Sequence, residues 1–256
     1  MSPPPLLEVV GLSRTLQGGS SPLWEGISFS LQPGDVLFIR GPSGIGKTLL
    51  LRSLALLDPA EGGTLRLRGQ APSELGIPAW RSDVIYVHQS RVDFPGTPLE
   101  FFELAQKLAA RRGRPAGDLA AAAAAMGLDP SVVLNQKWAS LSGGQAQRAS
   151  LAVAAALRPA ALLLDEPTSA CDPEAVRAVE AALAACGAAL VWVTHDGAQP
   201  GRVGGRQLEL PGGAVSAIEG GLHPQAKAAA AAARGGGRQA AAGAGPREGV
   251  EVAIGP

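Results

Sequence analysis

The 256-residue chain carries 22 Lys+Arg against 22 Asp+Glu, so no field of one sign recommends a nucleic acid or an anionic membrane as its main partner. At 46% apolar it can bury a core of domain size, which excludes a disordered polar chain. Its two cysteines, Cys171 and Cys186, have neither a metal-ligand spacing nor the numbers of a disulfide framework, which fits a reducing compartment.

Met1 to Leu7 is proline-rich and runs straight into a strand-like segment. It lacks the charged start and apolar stretch of a signal peptide, and a cytosolic setting is expected. Ile27 to Leu31, the Pro33-Gly34 turn and Val36 to Ile39 predict strands leading into a glycine loop. A helix is predicted from about Thr48 to Leu57, stopped near Asp58-Pro59. Glu61-Gly62-Gly63 then turns the chain into a predicted strand at Thr64 to Arg68. Together these pieces predict an antiparallel β element beside an α/β core.

From about Thr97 to Leu157 the chain is rich in alanine and leucine, with breaks at Arg111 to Gly117 and at Asp129-Pro130, and a helical lobe inserted between strands is predicted. Ala160 to Leu164 and Ala188 to Val193 are short apolar runs ending at polar residues, the pattern of buried parallel strands. The longest candidate for a membrane span, Leu183 to Val193, is short and interrupted by Gly187, so no crossing is expected. Residues 219–256 are alanine and glycine with scattered Lys227, Arg234, Arg238 and Arg247. Without large apolar side chains to offset ordering entropy, they are expected to form a disordered tail after a domain over residues 1–218.

Gly41-Pro42-Ser43-Gly44-Ile45-Gly46-Lys47-Thr48 fits G-x-x-x-x-G-K-[ST], with a predicted strand before it and a helix after it. Glycines let the backbone curl with its N–H groups inward, and the helix directs its positive end at the same anion. Lys47 is the expected contact to β- and γ-phosphates, and the Thr48 hydroxyl an expected Mg²⁺ ligand. Ala161 to Leu164 delivers Asp165 and Glu166 at a strand end, facing different ways. Asp165 is the natural Mg²⁺ partner and Glu166 the general base for an attacking water, although adjacent acids at a strand end also occur as plain loop residues. Thr194-His195-Asp196 closes the next apolar strand, which is expected to bring His195 beside the acids and in reach of a γ-phosphate, although a lone histidine at a strand end is more often a plain polar terminus. Gln89 follows the apolar run Val84 to Val87; its amide suits a contact to Mg²⁺ or an oriented water, or a plain turn.

Leu141-Ser142-Gly143-Gly144-Gln145, followed by Gln147-Arg148, together with these elements resembles the ATP-binding cassette (ABC) proteins over about residues 6 to 215. The resemblance implies a P-loop NTPase core with a RecA-like mixed sheet, with ATP and Mg²⁺ bound. It makes the pentapeptide the family's signature. Ser142 and Gly144, with Gln145 in the same set, would then face the nucleotide held by a second cassette, consistent with a homodimer. A serine N-cap, open glycine backbone and a helix N-terminus do make a second anion-binding surface. The resemblance also implies that Gln89 is the Q-loop residue, Ser169 to Asp172 the D-loop and His195 the switch histidine.

By the same resemblance the chain is the ATP-hydrolysing subunit of a transporter. It would sit on the cytosolic face of a membrane and drive a separately encoded permease. A soluble ABC ATPase, as in iron–sulfur cluster assembly, stays open. Translation-type members carry tandem cassettes and repair-type members a long heptad insertion, and this chain has neither. Phe94, Phe101 and Phe102, three of the five phenylalanines, either line a groove for a short helix of the membrane subunit or pack the helical lobe, or both. Val191 to Asp196 and the compact lobe resemble bacterial iron-export cassettes and plant aluminium-tolerance relatives. The chain departs from the family pattern in three respects. Near Leu16, where an adenine-stacking aromatic is usual, the candidates are Leu12 and Leu16; Cys171 replaces a leucine in the D-loop; and Val153 stands where an arginine is common.

Overall fold

The computed structural model describes residues 4–15 and 22–218. In chain order the strands are β1 (Leu7–Thr15), β2 (Pro22–Leu31), β3 (Val36–Arg40), β4 (Gly62–Leu67), β5 (Val84–Val87), β6 (Ala161–Asp165), β7 (Ala189–Val193), β8 (Gly205–Glu209) and β9 (Ala214–Ile218). The helices are α1 (Lys47–Leu54), α2 (Pro72–Leu75), α3 (Ile77–Asp83), α4 (Pro98–Lys107), α5 (Leu119–Ala125), α6 (Pro130–Val133), α7 (Gly143–Ala156), α8 (Pro173–Ala185) and α9 (Gln199–Val203).

One sheet has the order β2-β1-β4, with both pairings antiparallel. The other has the order β5-β6-β7-β3-β8-β9. It is parallel from β5 through β8 and closed by antiparallel β9. This is the expected mixed α/β architecture with an antiparallel element. The central strands β6, β7 and β3 of the larger sheet are buried on both faces because their side chains alternate between two cores. Leu162, Leu164, Trp192 and Phe38 pack with the lobe helices α4 to α7. Leu163, Val191, Leu37 and Ile39 pack with α1 and the antiparallel sheet. Each fully buried leucine among them contributes about 1.5–3 kcal/mol, which makes the central strands a rigid base for whatever lies at their ends.

The elements end where long-range contacts stop them. The helix expected to reach Leu57 stops at Leu54, and Leu56 follows with φ 57°. Its freed carbonyls are met from α3: Trp80 Nε1 donates to Leu54 O at 2.9 Å and Arg81 Nη2 to Leu56 O. The strand expected to reach Arg68 ends at Leu67, since Arg68 takes φ 51°. Gly187, at φ 83°, separates α8 from β7 inside the apolar stretch weighed as a span. Among the described residues no helix is long and apolar enough to cross a membrane. The expected tail, residues 219–256, lies outside the described residues.

Candidate functional site

The order β5-β6-β7-β3 brings the C-terminal ends of four neighbouring parallel strands to one edge. The loop from Gly41 to Gly46 leaves β3 there and enters α1. Gly46 caps α1 at φ 91°, with no side chain bonded to the first-turn amides, so these remain available to an anion. Only glycine fits at that cap: a Cβ would lie 2.2 Å from Leu23 Cδ2 and 3.0 Å from Trp24 Nε1. Lys47 is 7% exposed, and its ammonium donates to Gly41 O and Pro42 O, both at 2.9 Å. Among the described residues no carboxylate pairs with it. A buried cation held by carbonyls, beside first-turn amides that no side chain caps, fits a polyphosphate.

Asp165, buried at the end of β6, accepts from Thr48 Oγ1 at 2.8 Å and from the Tyr86 hydroxyl at 3.0 Å. One hydroxyl and one carboxylate beside a phosphate loop is the oxygen set that Mg²⁺ takes when nucleotide supplies the rest. Tyr86 is not evident from sequence, because it stands inside an apolar run; only the β5–β6 pairing carries it to Asp165. Burial first, then the Asp165 charge, push its phenol well above the usual range, so it stays a proton donor.

Glu166 lies on the other side of the strand end. Its Oε1 is 2.8 Å from His195 Nε2, and its Oε2 accepts from Gln89 Nε2 at 3.1 Å. The β6–β7 register, with Asp165 opposite Val193, creates this meeting. His195 is largely exposed, but its loop is anchored by a buried network that the sequence reading did not foresee. Glu180, 3% exposed, accepts from Arg202 Nε and Nη2 and from Gln199 Nε2. Gln199 also donates to Thr168 Oγ1, and Arg202 reaches Asp196 at 2.6 Å, next to His195. The Arg202 hydrogen bond holds the Asp196 carboxyl below the usual carboxylate range.

Ser142 caps α7: its Oγ accepts from Gln145 N at 3.2 Å, and Gln145 Oε1 accepts from Ser142 N at 2.9 Å. The Gln145 side chain therefore serves the cap, leaving its main chain for any ligand. Ser142 is exposed, and among the described residues no hydrogen bond joins Ser142, Gly144 or Gln145 to the Gly41–Thr48 loop. Arg148 fixes the start of α7 to the end of α5, donating to Met126 O and Gly127 O.

An apolar groove of about 750 Å³ lies between β5 and the lobe, lined by Ile85, Val87, Phe101, Leu108, Val153 and Leu157 among others. Phe101 faces it, Phe94 packs on Phe101 at 5.2 Å, and Phe102 is buried in the lobe core, so packing of the lobe accounts for Phe102 while Phe101 lines the groove. Leu12 is 1% exposed within the antiparallel sheet, which removes it as a surface for adenine; Leu16 lies outside the described residues.

The family model described as ABC transporter matches residues 24–169, more than half of the chain. The chain belongs to the ABC transporter family. The Fe(3+) ions import ATP-binding protein FbpC 3 of Rhodococcus jostii is 35% identical over 220 residues, 83% of this chain and 61% of that protein. The lipoprotein-releasing system ATP-binding protein LolD of Maricaulis maris is 36% identical over 213 residues, 77% of this chain and 91% of that protein. The chain spans about half to three fifths of the length of the first curated relatives it matches. A solved ATP-binding subunit of an ABC transporter superposes with a TM-score of 0.71 over 84% of this chain and 90% of that one, at 23% identity. Within this ABC transporter family member, the matched span holds the phosphate loop, Gln89, the Leu141–Gln145 string and both acids. His195 lies beyond it, and its place in the site rests on the contact with Glu166.

Proposed function

We propose that the chain is the ATP-binding and ATP-hydrolysing engine of an ABC transporter, acting as a dimer of two such chains beneath a separate membrane permease. The observation that carries this reading is the convergence at one sheet edge of the buried Lys47, the Thr48–Asp165 pair and Glu166 between Gln89 and His195. The loop N–H groups of Gly41, Ser43, Gly44, Ile45 and Gly46, on a turn that Pro42 shapes without a donor of its own, hold the β- and γ-phosphates with Lys47. Thr48 and Asp165, with Gln89, hold Mg²⁺, which when bound offsets the charge on the transferring phosphoryl group. Glu166 accepts a proton from the attacking water, while Gln89 orients that water and His195 reaches the γ-phosphate.

The outward-facing α7 N-terminus gives Ser142, Gly144 and the Gln145 main chain to the nucleotide of the other copy. One chain carries a full set of parts, so two identical chains form two sites. The apolar groove receives a short helix of the permease, which places the protein peripherally on the cytosolic face of a membrane. Relatives of similar identity are named for Fe(3+) import, spermidine/putrescine import and lipoprotein release, so the cassette is shared across cargoes and the cargo belongs to the membrane partner. That spread favours neither an export direction nor the iron-export and aluminium-tolerance kinship read from Val191 to Asp196.

Glu166→Gln tests the chemistry. The variant should bind ATP as the parent does, lose turnover and accumulate as nucleotide-bound dimers. Hydrolysis at the parental rate would overturn the role given to Glu166. Pull-down from detergent-solubilised membranes tests the setting: a polytopic membrane partner supports it, and exclusively soluble partners contradict it.

A further inference from the structure

Glu166 is one of few residues other than glycine with a left-handed backbone, at φ 49°. That conformation costs energy for a residue with a Cβ and persists only where the surroundings impose it. The peptide groups around it are held on both sides. Its N–H donates to Val193 O at 3.0 Å; its carbonyl accepts from Ser169 N at 3.2 Å and from Gln147 Nε2 at 2.9 Å. Gln147 lies on α7, the helix that Ser142 caps, and is 8% exposed. The same amide bonds the following loop: Nε2 reaches Ser169 Oγ at 3.3 Å, and Oε1 accepts from Ala170 N at 3.0 Å. A carbonyl on one side and an N–H on the other fix which way the amide points. Contact between α7 and this loop is already close one turn earlier, where a Cβ on Gly144 would lie 2.7 Å from Ala170 O.

We propose that Gln147 is a positioning residue: it locks the left-handed turn that aims Glu166 at Gln89 and His195, and ties that turn to the helix that meets the second copy. The inference rests on Glu166 being the base of the proposed hydrolysis. Without Gln147 the Glu166 carbonyl keeps, among the described residues, only Ser169 N, and the turn can relax toward ordinary φ, carrying the carboxylate out of line. The phosphate loop shares no hydrogen bond with Gln147 among the described residues, so nucleotide affinity is untouched. Because Ser142 and Gln147 share one rigid helix, docking of the second copy is felt at Glu166 through this amide.

Two variants separate the arms of the amide. Gln147→Ala removes both, whereas Gln147→Glu keeps an acceptor for Ala170 N and sets an oxygen against the Glu166 carbonyl. Both should lower kcat about tenfold to a hundredfold, with KM for ATP within about twofold, as misplacement of a reacting group does. A second readout does not depend on hydrolysis. Cys171, partly buried with Sγ 3.8 Å from Gln147 Oε1, reports on the loop. In a Cys186→Ser background its labelling by a thiol reagent should quicken several-fold in Gln147→Ala and stay near the parental rate in Gln147→Glu. Unchanged kcat in both variants, or a raised KM with kcat kept, would overturn the proposal, as would parental Cys171 labelling in Gln147→Ala. Were the parent chain inactive with its permease, the hydrolytic reading would fail while the labelling still tested the hold on the loop.

Discussion

Arg202→Ala should destabilise the fold by about 3 kcal/mol, because it strands a buried carboxylate. Glu180 is 3% exposed, and its carboxylate takes both Arg202 Nε and Nη2, leaving Gln199 Nε2 as the one other donor among the described residues. Breaking a buried ion pair by removing one partner costs about 3–5 kcal/mol, and the 33% exposure of the Arg202 side chain points to the low end. For a domain of this size that is a drop of roughly 6–12 °C in Tm. The deficit should also depend on pH. Asp196 sets the trend. Arg202 depresses its folded pKa in the parent, a contribution present above the unfolded value of about 3.9 and lost as pH falls through the folded one. Urea unfolding of parent and variant at about pH 7 and about pH 2.5, below the ordinary carboxylate range, measures both effects, and adding Glu180→Gln to Arg202→Ala should restore most of the loss. A deficit below about 1 kcal/mol, or one that does not shrink in acid, would refute the reasoning.

Tyr86→Phe removes the hydroxyl donor from Asp165 and should raise the Mg²⁺ needed for half-maximal hydrolysis by roughly tenfold, with little change in stability. An unchanged Mg²⁺ titration contradicts that role. Trp80→Phe deletes the buried indole N–H that ends α1 at Leu54 and should cost about 1–3 kcal/mol in denaturant unfolding, since the Leu54 carbonyl is left without a donor from α3. A loss within error of zero would show that α1 ends there for other reasons.

What could be read from sequence was what consecutive residues build. The phosphate loop is a strand, a turn and a helix in unbroken succession, and the Asp165-Glu166 pair is delivered by its own strand. The meeting of His195 with Glu166 followed from two apolar runs lying side by side, which the β6–β7 pairing bears out. The contacts that escaped reading all cross the chain. Tyr86 meets Asp165 across 79 residues and Trp80 stops α1 from 26 residues away. Gln147 stood in view only as part of a family string, because its partners at Glu166 and Ala170 lie 19 and 23 residues further on. Leu12 was a candidate for the adenine contact through the family resemblance alone, and its burial is set by the pairing of β1 with β2 and β4 across the chain. Nor does any glycine mark the turn at Glu166, whose left-handed backbone is imposed by its neighbours.

The central claim is that each site takes its phosphate loop from one chain and its Ser142 surface from another. Mixing Lys47→Ala chains with Ser142→Arg chains tests it most directly. Each variant alone should be inactive, since every dimer then lacks one half of both sites. After random re-pairing half of the dimers are mixed and each holds one intact site, so about a quarter of the parental Mg²⁺-dependent ATP hydrolysis should return. Full activity in either variant alone, or none in the mixture despite demonstrated re-pairing, would contradict a shared site.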